Sequence, residues 1–340
     1  MPGLDLGIDM GTSQVIIALP GRGVVLKEPS VIAVDKADGH IIACGSEAYD
    51  MLGRTPDSIL AVRPLSKGVI SDYDYAERMM RYFVRKVCAF KMIKPRAAVS
   101  LPASVTEVEQ RSAVEAVTAS GIRKVVLIDE AVAAALGAGI DIAQPEGHMV
   151  VDIGGGTTDV AVAALGGVVA STCLTTAGDQ FDEALIQYVR QTHGLLIGAR
   201  TAEEVKCAIG QVAGEGEETL AVKGRCLNTG LPREVTLSGK ETETAFAPVA
   251  QTIVSAVQDV LERTPPELAA DVAVSGILLT GGGSLLRGMD ALLAQETGMA
   301  THLAEDPIRA VALGLEATLP HLAKRQEGVL NLARRRQVEV

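Results

Sequence analysis

Two hydrophobic patterns alternate along most of the 340-residue chain. Short apolar runs rich in β-branched residues predict buried strands, and apolar positions at helical spacing predict helices. The first half contains the strand-like runs LDLGID, QVIIALP, SVIAV, AAVSLP and KVVLID, and the second half contains HMVVDI, VAVAAL, GVVAST and SGILLT. Helical stripes separate several of these runs. The alternation predicts an α/β fold whose sheets are covered by helices.

Three of the predicted helices have recognisable limits. An apolar stripe predicts a helix from about Tyr73 to Phe90. A second helix is expected to begin near Thr106, whose hydroxyl would cap it with Glu109 at the third position. A long helix is predicted to follow Pro248 and to end at the two prolines at 265–266.

Composition and charge narrow the class of protein. Hydrophobic residues make up 48% of the chain and aromatic residues only 3%, so the core must be aliphatic. The net charge of −11 argues against nucleic acid as a partner, because binding to it usually leaves a basic surface. Five widely spaced cysteines suggest neither a zinc site nor a disulfide framework. With no visible signal peptide and no apolar run near the ~20 residues of a membrane span, we expect a cytoplasmic chain.

One strand-to-turn junction occurs twice. Residues 7–12 read GIDMGT and residues 152–157 read DIGGGT, so each half has an aspartate followed by glycine and threonine. Glycine lets a phosphate approach backbone N–H groups, and threonine adds a hydroxyl donor. An aspartate beside phosphates requires a cation, which implies Mg²⁺ held through water. One such turn alone would indicate an ordinary hairpin, but two matched turns predict a duplicated domain with a site between the copies.

A third glycine turn follows the strand SGILLT. Residues 280–286 read TGGGSLL, and a helix beginning near Ser284 would direct its N-terminus toward whatever lies over the glycines. Taken alone, this turn fits a plain strand–helix connector equally well. Neither GxxxxGK[ST] nor GxGxxG occurs in the chain, which argues against a P-loop nucleotidase and against a nicotinamide enzyme.

The three turns, in this order, resemble the phosphate-1, phosphate-2 and adenosine loops of the actin-like ATPase superfamily. The segments EAVAAALGAG (130–139) and AVALG (310–314) resemble its two connecting helices. Longer segments are similar to the MreB family of bacterial rod-shape actins, among them GRGVVLKEPSVIAVD, AVRPLSKGVISDYDYAE, IQYVRQTHGLLIGARTAEEVK, LERTPPELAAD and LLTGGGSLLRGMDALL. This resemblance extends almost end to end, from about Asp5 to Leu319.

The resemblance implies an actin-like, ribonuclease H-like α/β fold, with duplicated domains around a central nucleotide cleft. The first domain would cover residues 1–145, with a small subdomain at about 30–72. The second would cover residues 146–320, with a small subdomain at about 183–248. Residues 321–340 would form a basic C-terminal tail.

The resemblance also implies ATP and Mg²⁺ as ligands and assigns roles to residues. Asp9 and Asp152 would hold the hydration shell of Mg²⁺. Glu130, where the strand KVVLID meets the first connecting helix, would orient the attacking water. The other nucleotide-binding residues implied are Gly11, Thr12, Ser13, Gln14, Gly154, Gly155, Gly156, Thr157, Thr158, Gly178, Asp179, Glu203, Lys206, Gly281, Gly282 and Gly283.

Parts of this set carry alternatives or departures from the family pattern. Glu203 and Lys206 would contact the ribose, although their spacing on one helix face also suits a solvated surface pair. Gly281 to Gly283 would lie against the adenine. Ala131 stands where the family usually has proline, which puts the hydrolysis rate in doubt. The pair at 13–14 reads Ser-Gln where Ala-Asn is usual.

A short apolar segment suggests contact with a membrane. Phe90, Met92 and Ile93 are interleaved with two lysines, which suits insertion into an anionic leaflet. The alternative is that these side chains fold back on their own domain. Among members of the resembled family, location at the inner face of the cell membrane is typical.

We therefore expect an ATP-hydrolysing bacterial actin that forms a membrane-associated homopolymer. It would direct cell-wall synthesis and rod cell shape together with membrane proteins of the cell-elongation machinery. Two alternatives on the same fold are a plasmid-partition-type actin and a soluble small-molecule kinase, and the second would need an acceptor site that we do not find in the sequence. A chaperone ATPase would need a peptide-binding domain, for which 340 residues leave no room.

Overall fold

A computed structural model of the protein describes residues 5–88 and 95–322. The proposed membrane-contacting residues Phe90, Met92 and Ile93 lie outside the described residues, as does the basic tail from Lys324 onward. No helix in the two described ranges is long and apolar enough to cross a membrane.

The described residues of the first half form a large five-stranded sheet, a small three-stranded sheet, the two-stranded hairpin β7–β8 and four helices. The order of elements is β1–β5, α1, β6–β8, α2, β9, α3, β10, α4. Their bounds are β1 Asp5–Met10, β2 Gln14–Leu19, β3 Gly23–Pro29, β4 Ile32–Asp35, β5 Ile41–Cys44, α1 Ser46–Met51, β6 Ile59–Val62, β7 Leu65–Ser66, β8 Val69–Ile70, α2 Tyr73–Cys88, β9 Arg96–Leu101, α3 Glu107–Ala119, β10 Lys124–Asp129 and α4 Glu130–Gly137.

The second half repeats this scheme with its own large and small sheets. Its elements are β11 His148–Ile153, β12 Thr158–Ala164, β13 Gly167–Leu174, α5 Gly178–His193, β14 Leu195–Leu196, α6 Ala199–Ile209, β15 Thr219–Cys226, β16 Pro232–Ser238, α7 Gly239–Arg263, α8 Pro266–Ser275, β17 Ile277–Thr280, α9 Met289–Thr297, β18 Thr301–Leu303 and α10 Ala310–Leu322.

The two large sheets have equivalent topology. The first has the strand order β10-β9-β1-β2-β3, and the second has β18-β17-β11-β12-β13. In each, the strand that precedes the glycine turn pairs antiparallel with the next strand and parallel with a later one: β1 with β2 and β9, β11 with β12 and β17. This correspondence confirms the duplicated α/β fold predicted from the repeated turn.

The halves have separate cores, which are mostly aliphatic with a few buried phenylalanines, and they meet at a third cluster. That third cluster combines α4 with α10 and includes side chains from both large sheets, such as Ala98 and Val150. The two helices approach closely at two glycines. A Cβ on Gly137 would lie 1.7 Å from the carbonyl oxygen of Ala310, and a Cβ on Gly314 would lie 1.8 Å from that of Ala133. Only glycine permits this backbone-to-backbone packing between the halves.

The Thr106 capping box is present as predicted from the sequence. The Thr106 hydroxyl accepts a hydrogen bond of 3.3 Å from the N–H of Glu109, and the Glu109 carboxylate accepts one of 2.7 Å from the N–H of Thr106. The helix predicted from Tyr73 begins at that residue and is described as far as Cys88.

Two predicted helix starts were wrong. The long helix begins at Gly239, capped by Ser238, and continues through Pro248. Pro248 has no N–H to donate to the carbonyl of Thr244, four residues earlier. Both residues are exposed on the outer face of the helix, where water can supply the missing hydrogen bond. The segment near Ser284 forms only a short 3₁₀ turn, Gly282–Leu285, and the next α-helix begins at Met289.

Candidate functional site

The two glycine turns lie on equivalent hairpins and contact each other. A Cβ on Gly155 would lie 2.0 Å from Oγ of Ser13, and a Cβ on Gly156 would lie 2.4 Å from Oγ1 of Thr12. The turns of the two halves therefore meet without space for a side chain between them. The N–H of Gly154 donates to the carbonyl of Thr157 at 2.9 Å within its own hairpin. Gly11, Gly154 and Gly155 line the cavity between the halves, where glycine backbone without side chains lets a phosphate approach closely.

The turn between β7 and β8, which was not predicted as part of the site, closes over the glycine turns at 11–14 and 154–156. Residues Lys67 and Gly68 connect β7 to β8, and both have positive φ angles, 52° and 75°. The N–H of Gly68 donates a hydrogen bond of 2.9 Å to the Thr12 hydroxyl, and a Cβ on Gly68 would lie 2.8 Å from Cγ2 of Thr157. Strained backbone of this kind is concentrated at functional sites, and the positive φ of Lys67 is the strained conformation here.

Two buried aspartates lie at the ends of β1 and β11, directly before the glycine turns. Asp9 is 8% exposed and Asp152 is 3% exposed. Asp9 accepts a hydrogen bond of 3.3 Å from the Ser100 hydroxyl, and Asp152 accepts one of 2.6 Å from the Thr280 hydroxyl. Burial raises the pKa of both carboxyl groups, and the charge of Asp152 raises the pKa of Asp9 further.

Glu130 is the first residue of α4 and lines the same cavity. Burial raises the pKa of its carboxyl group well above the ordinary value, and the neighbouring carboxylates of Asp159 and Asp152 add to this effect. The turn before it is held by Asp129, which accepts hydrogen bonds from the N–H groups of Ala131 and Val132. A proline at 131 would lack the first of these donors, so the alanine adds a capping hydrogen bond here.

Glu203 and Lys206 both line the cavity, on one face of α6. Lys206 donates 2.8 Å and 2.9 Å hydrogen bonds to the carboxylate of Asp182 and the carbonyl of Gly178. Glu203 accepts a hydrogen bond of 2.8 Å from the hydroxyl of Tyr49, which belongs to the first half. Both residues are therefore held by partners from other elements, and they do not form a solvated surface pair on α6.

Gly178 and Asp179 begin α5 and support the second glycine turn. The N–H of Gly178 donates to the carbonyl of Gly154 at 3.1 Å, and that of Asp179 donates to the carbonyl of Gly155 at 2.8 Å. These N–H groups therefore hold the turn in place and are not directed at a ligand. Thr158 is likewise engaged within the protein, because it is fully buried and its hydroxyl donates to the carbonyl of Thr176 at 2.7 Å.

The cavity between the halves has a volume of about 320 Å³. Most of the predicted site residues line it, with Gly156, Thr157, Thr158 and Asp179 behind the lining. Nine further lining residues were not predicted from the sequence, namely Ile16, Cys207, Gly210, Leu285, Leu286, Arg287, Pro307, Ile308 and Val311. Leu285 and Leu286 directly follow the third glycine turn and give that end of the cavity an apolar surface, which suits the flat face of a base. The first two glycine turns offer bare backbone and hydroxyls for phosphates.

The polar side chains of the cavity, Gln14, Asp9 and Asp152, suit a polar ligand that is bound together with a cation. The Oε1 atom of Gln14 is buried at the cavity without a hydrogen-bond partner, which is unusual unless a ligand or water supplies one. Asp9 and Asp152 are buried side by side, and no ion pair among the described residues includes either of them. Carboxylate oxygens are the ligands that Mg²⁺ prefers, directly or through its waters.

Duplicated sheets that meet at a cleft, with a matched glycine turn from each, are the arrangement of the actin-like fold, and this chain is an actin-like protein. The family model of the MreB/Mbl protein matches residues 3–327, and the chain belongs to the MreB/Mbl family.

Individual relatives agree with this assignment. The cell shape-determining protein Mbl of Bacillus cereus is 46% identical over 320 residues, which cover 94% of this chain and 96% of the relative. The crystal structure of MreB5 of Spiroplasma citri bound to AMPPNP is 34% identical, with a TM-score of 0.91 over 95% of this chain and 98% of that one. The MamK double helical filament, at 24% identity and a TM-score of 0.80 over 95% and 99%, shares the fold.

Proposed function

We propose that this chain binds Mg-ATP in the cleft, hydrolyses it slowly, and polymerises at the inner face of the cell membrane to direct cell-wall synthesis. The contact between the two glycine turns, with Asp9 and Asp152 beneath them, is the observation that carries the nucleotide assignment. It is supported by MreB5 of Spiroplasma citri, a 34% identical relative, whose structure contains AMPPNP.

In this proposal the phosphates lie along the backbones of Gly11 and Gly155 and pass beside Gly154, whose N–H donates to Thr157 and whose missing side chain leaves room. The hydroxyls of Thr12 and Ser13 would be further donors. Asp9 and Asp152 would hold Mg²⁺ through water, and the ion would neutralise charge on the phosphates. Glu203 would accept hydrogen bonds from the ribose. The apolar end of the cavity, including Gly281 to Gly283, would receive the adenine.

Glu130 would act on the water that attacks the terminal phosphate. Phosphoryl transfer depends on positioning and charge compensation more than on covalent chemistry, so one carboxylate directed into the cleft suffices. Burial and the neighbouring carboxylates raise the pKa of Glu130, and a more basic carboxylate accepts a proton from water more readily. Asp129 holds the start of α4 and thereby the orientation of Glu130.

Polymerisation would couple the nucleotide state to contacts between subunits. The two halves meet at the glycine crossing of α4 with α10, so closure of the cleft over a nucleotide changes their relative orientation. The membrane assignment depends on Phe90, Met92 and Ile93 in the sequence. Membrane proteins of the elongation machinery would be the further partners.

Electron microscopy of the purified protein on phosphatidylglycerol vesicles, with and without Mg-ATP, tests the proposal. Filaments that require Mg-ATP and lie on the vesicles are the expected result. A variant with serine at positions 90, 92 and 93 should still form filaments but leave the vesicles bare. Folded, ATP-binding protein that stays dispersed in every condition would instead favour a soluble kinase, and filaments that ignore lipid would favour a plasmid-partition-type actin.

A further inference from the structure

The hydroxyls that contact the two buried aspartates occupy equivalent positions in the duplicated fold. Ser100 lies on β9, the parallel neighbour of β1, and Thr280 lies on β17, the parallel neighbour of β11. In the first half Ile8 pairs with Val99, so the next residues, Asp9 and Ser100, lie opposite each other. In the second half Asp152 pairs directly with Thr280. Each half therefore places one hydroxyl beside its aspartate from the adjacent strand.

Both hydroxyls are buried with their carboxylates. Ser100 is 3% exposed and Thr280 is fully buried. Each hydroxyl donates to one oxygen of its aspartate, at 3.3 Å from Ser100 and 2.6 Å from Thr280. A buried carboxylate without a fixed donor can rotate and is costly to keep charged. A donor on one oxygen fixes the plane of the group and leaves its second oxygen for another partner.

We propose that Ser100 and Thr280 are positioning residues, which orient Asp9 and Asp152 toward the hydration shell of Mg²⁺. The inference depends on the proposed Mg-ATP function, and it adds a symmetric pair of outer residues to that site. Outer partners of this kind typically contribute about 10-fold to 100-fold to the affinity for a metal. Thr280, with the shorter hydrogen bond, makes the larger contribution.

Four variants separate positioning from general damage. Thr280→Val keeps the shape of the side chain and removes the donor, whereas Thr280→Ser keeps the donor. Ser100→Ala removes the equivalent donor in the other half. Thr264→Val is the matched control, because Thr264 is also buried and donates a hydrogen bond of 2.7 Å to the carbonyl of Val260, far along the chain from the cleft turns.

The measurement is the dissociation constant of AMPPNP as a function of Mg²⁺ concentration, with a reference series in EDTA. Mg²⁺ should lower the dissociation constant of AMPPNP for Thr280→Val as well, but half of this decrease should require about 10-fold more Mg²⁺ than in the wild type. In EDTA the dissociation constant should be unchanged. Ser100→Ala should shift in the same direction by a smaller factor. Thr280→Ser and Thr264→Val should both behave like the wild type, and thermal melting should show that each variant is folded.

Two results would overturn the inference. One is a Thr280→Val variant with the Mg²⁺ dependence of the wild type. The other is a loss of AMPPNP affinity that is equal in EDTA and in Mg²⁺, which would mean damage to the cleft as a whole. Failure of the wild type itself to bind AMPPNP more tightly with Mg²⁺ would instead contradict the proposed function. Should Thr280→Val not fold, the Ser100→Ala series gives the same discrimination.

Discussion

The hydroxyl of Tyr49 donates a hydrogen bond of 2.8 Å to the carboxylate of Glu203 across the mouth of the cleft. Tyr49 lies on α1 beside the small sheet of the first half, and Glu203 lies on α6 beside that of the second. Arg63 contacts the same carboxylate oxygen at 3.3 Å, and Arg200 pairs with Asp50 at 3.1 Å. A residue proposed to contact the ribose is therefore also part of the bridge that holds the two small sheets together.

Tyr49→Phe should accelerate the release of nucleotide. The substitution removes the hydrogen bond but keeps the ring, so the small sheets separate more easily. The bridge is partly exposed, so we expect a loss of about 1 kcal/mol, or roughly a fivefold faster release. Stopped-flow measurement with a fluorescent ATP analogue gives the rate. Tyr82→Phe, on α2, is the control, and equal release rates for wild type and Tyr49→Phe would mean that the bridge does not hold the cleft.

Glu130→Gln should separate binding from hydrolysis. The amide occupies the space of the carboxylate but cannot accept a proton from water, so turnover should fall by about 100-fold or more. The dissociation constant of ATP should change by no more than about twofold to threefold, because the proposed role of Glu130 is to act on the attacking water and not to hold the phosphates. Single-turnover phosphate release measures the effect, with Glu146→Gln, an exposed glutamate, as the control. Unchanged turnover would remove Glu130 from the catalytic role.

Gly137→Ala should destabilise the protein by about 3 kcal/mol or more, because its Cβ would overlap the carbonyl of Ala310. The helices α4 and α10 would have to separate, which disturbs the cluster shared by the two halves. Urea denaturation gives the free energy of unfolding. Gly198→Ala is the matched control, since a Cβ there meets no atom within 4 Å, and it should cost less than about 1 kcal/mol. Comparable losses for both variants would contradict the close crossing.

The buried aspartates should make the nucleotide-free protein less stable as pH rises. Burial raises the pKa of Asp9 to about 7 and that of Asp152 to about 6, from 3.8 in an unfolded chain. Between these values the native state holds more protons than the unfolded state, so this contribution to stability is present below pH 4 and lost as pH rises to about 7.

Asp152→Asn tests this pH dependence, because the amide cannot ionise and still accepts the hydrogen bond from Thr280. In EDTA, the variant should be more stable than the wild type at pH 8 by about 1–3 kcal/mol, and the difference should shrink at pH 5. Urea denaturation at the two pH values measures it, with the exposed Asp57→Asn as the control. A variant that is less stable than the wild type at pH 8 would show that the charged pair is not a source of instability.

Much of this architecture could be predicted from local sequence. The two glycine turns, the capping box at Thr106 and the repeated strand pattern depend on residues that are neighbours in the chain, and the structure contains all of them. Contacts that depend on the register between distant strands could not be predicted in this way. The pairing of Asp152 with Thr280 joins residues 128 positions apart, and that of Tyr49 with Glu203 joins residues 154 apart. The start of α7 was missed because proline is normally found in the first turn of a helix and not in its interior, whereas Pro248 lies inside α7 on an exposed face.

The most direct measurement is a crystal structure of the protein grown with AMPPNP and Mg²⁺. The account predicts phosphates between the turns at 11–14 and 154–156, with Mg²⁺ beside Asp9 and Asp152 and the ribose at Glu203. The adenine should lie against Gly281 to Gly283. Nucleotide bound elsewhere on the protein, or bound in the cleft with its phosphates directed away from the two glycine turns, would contradict the central claim.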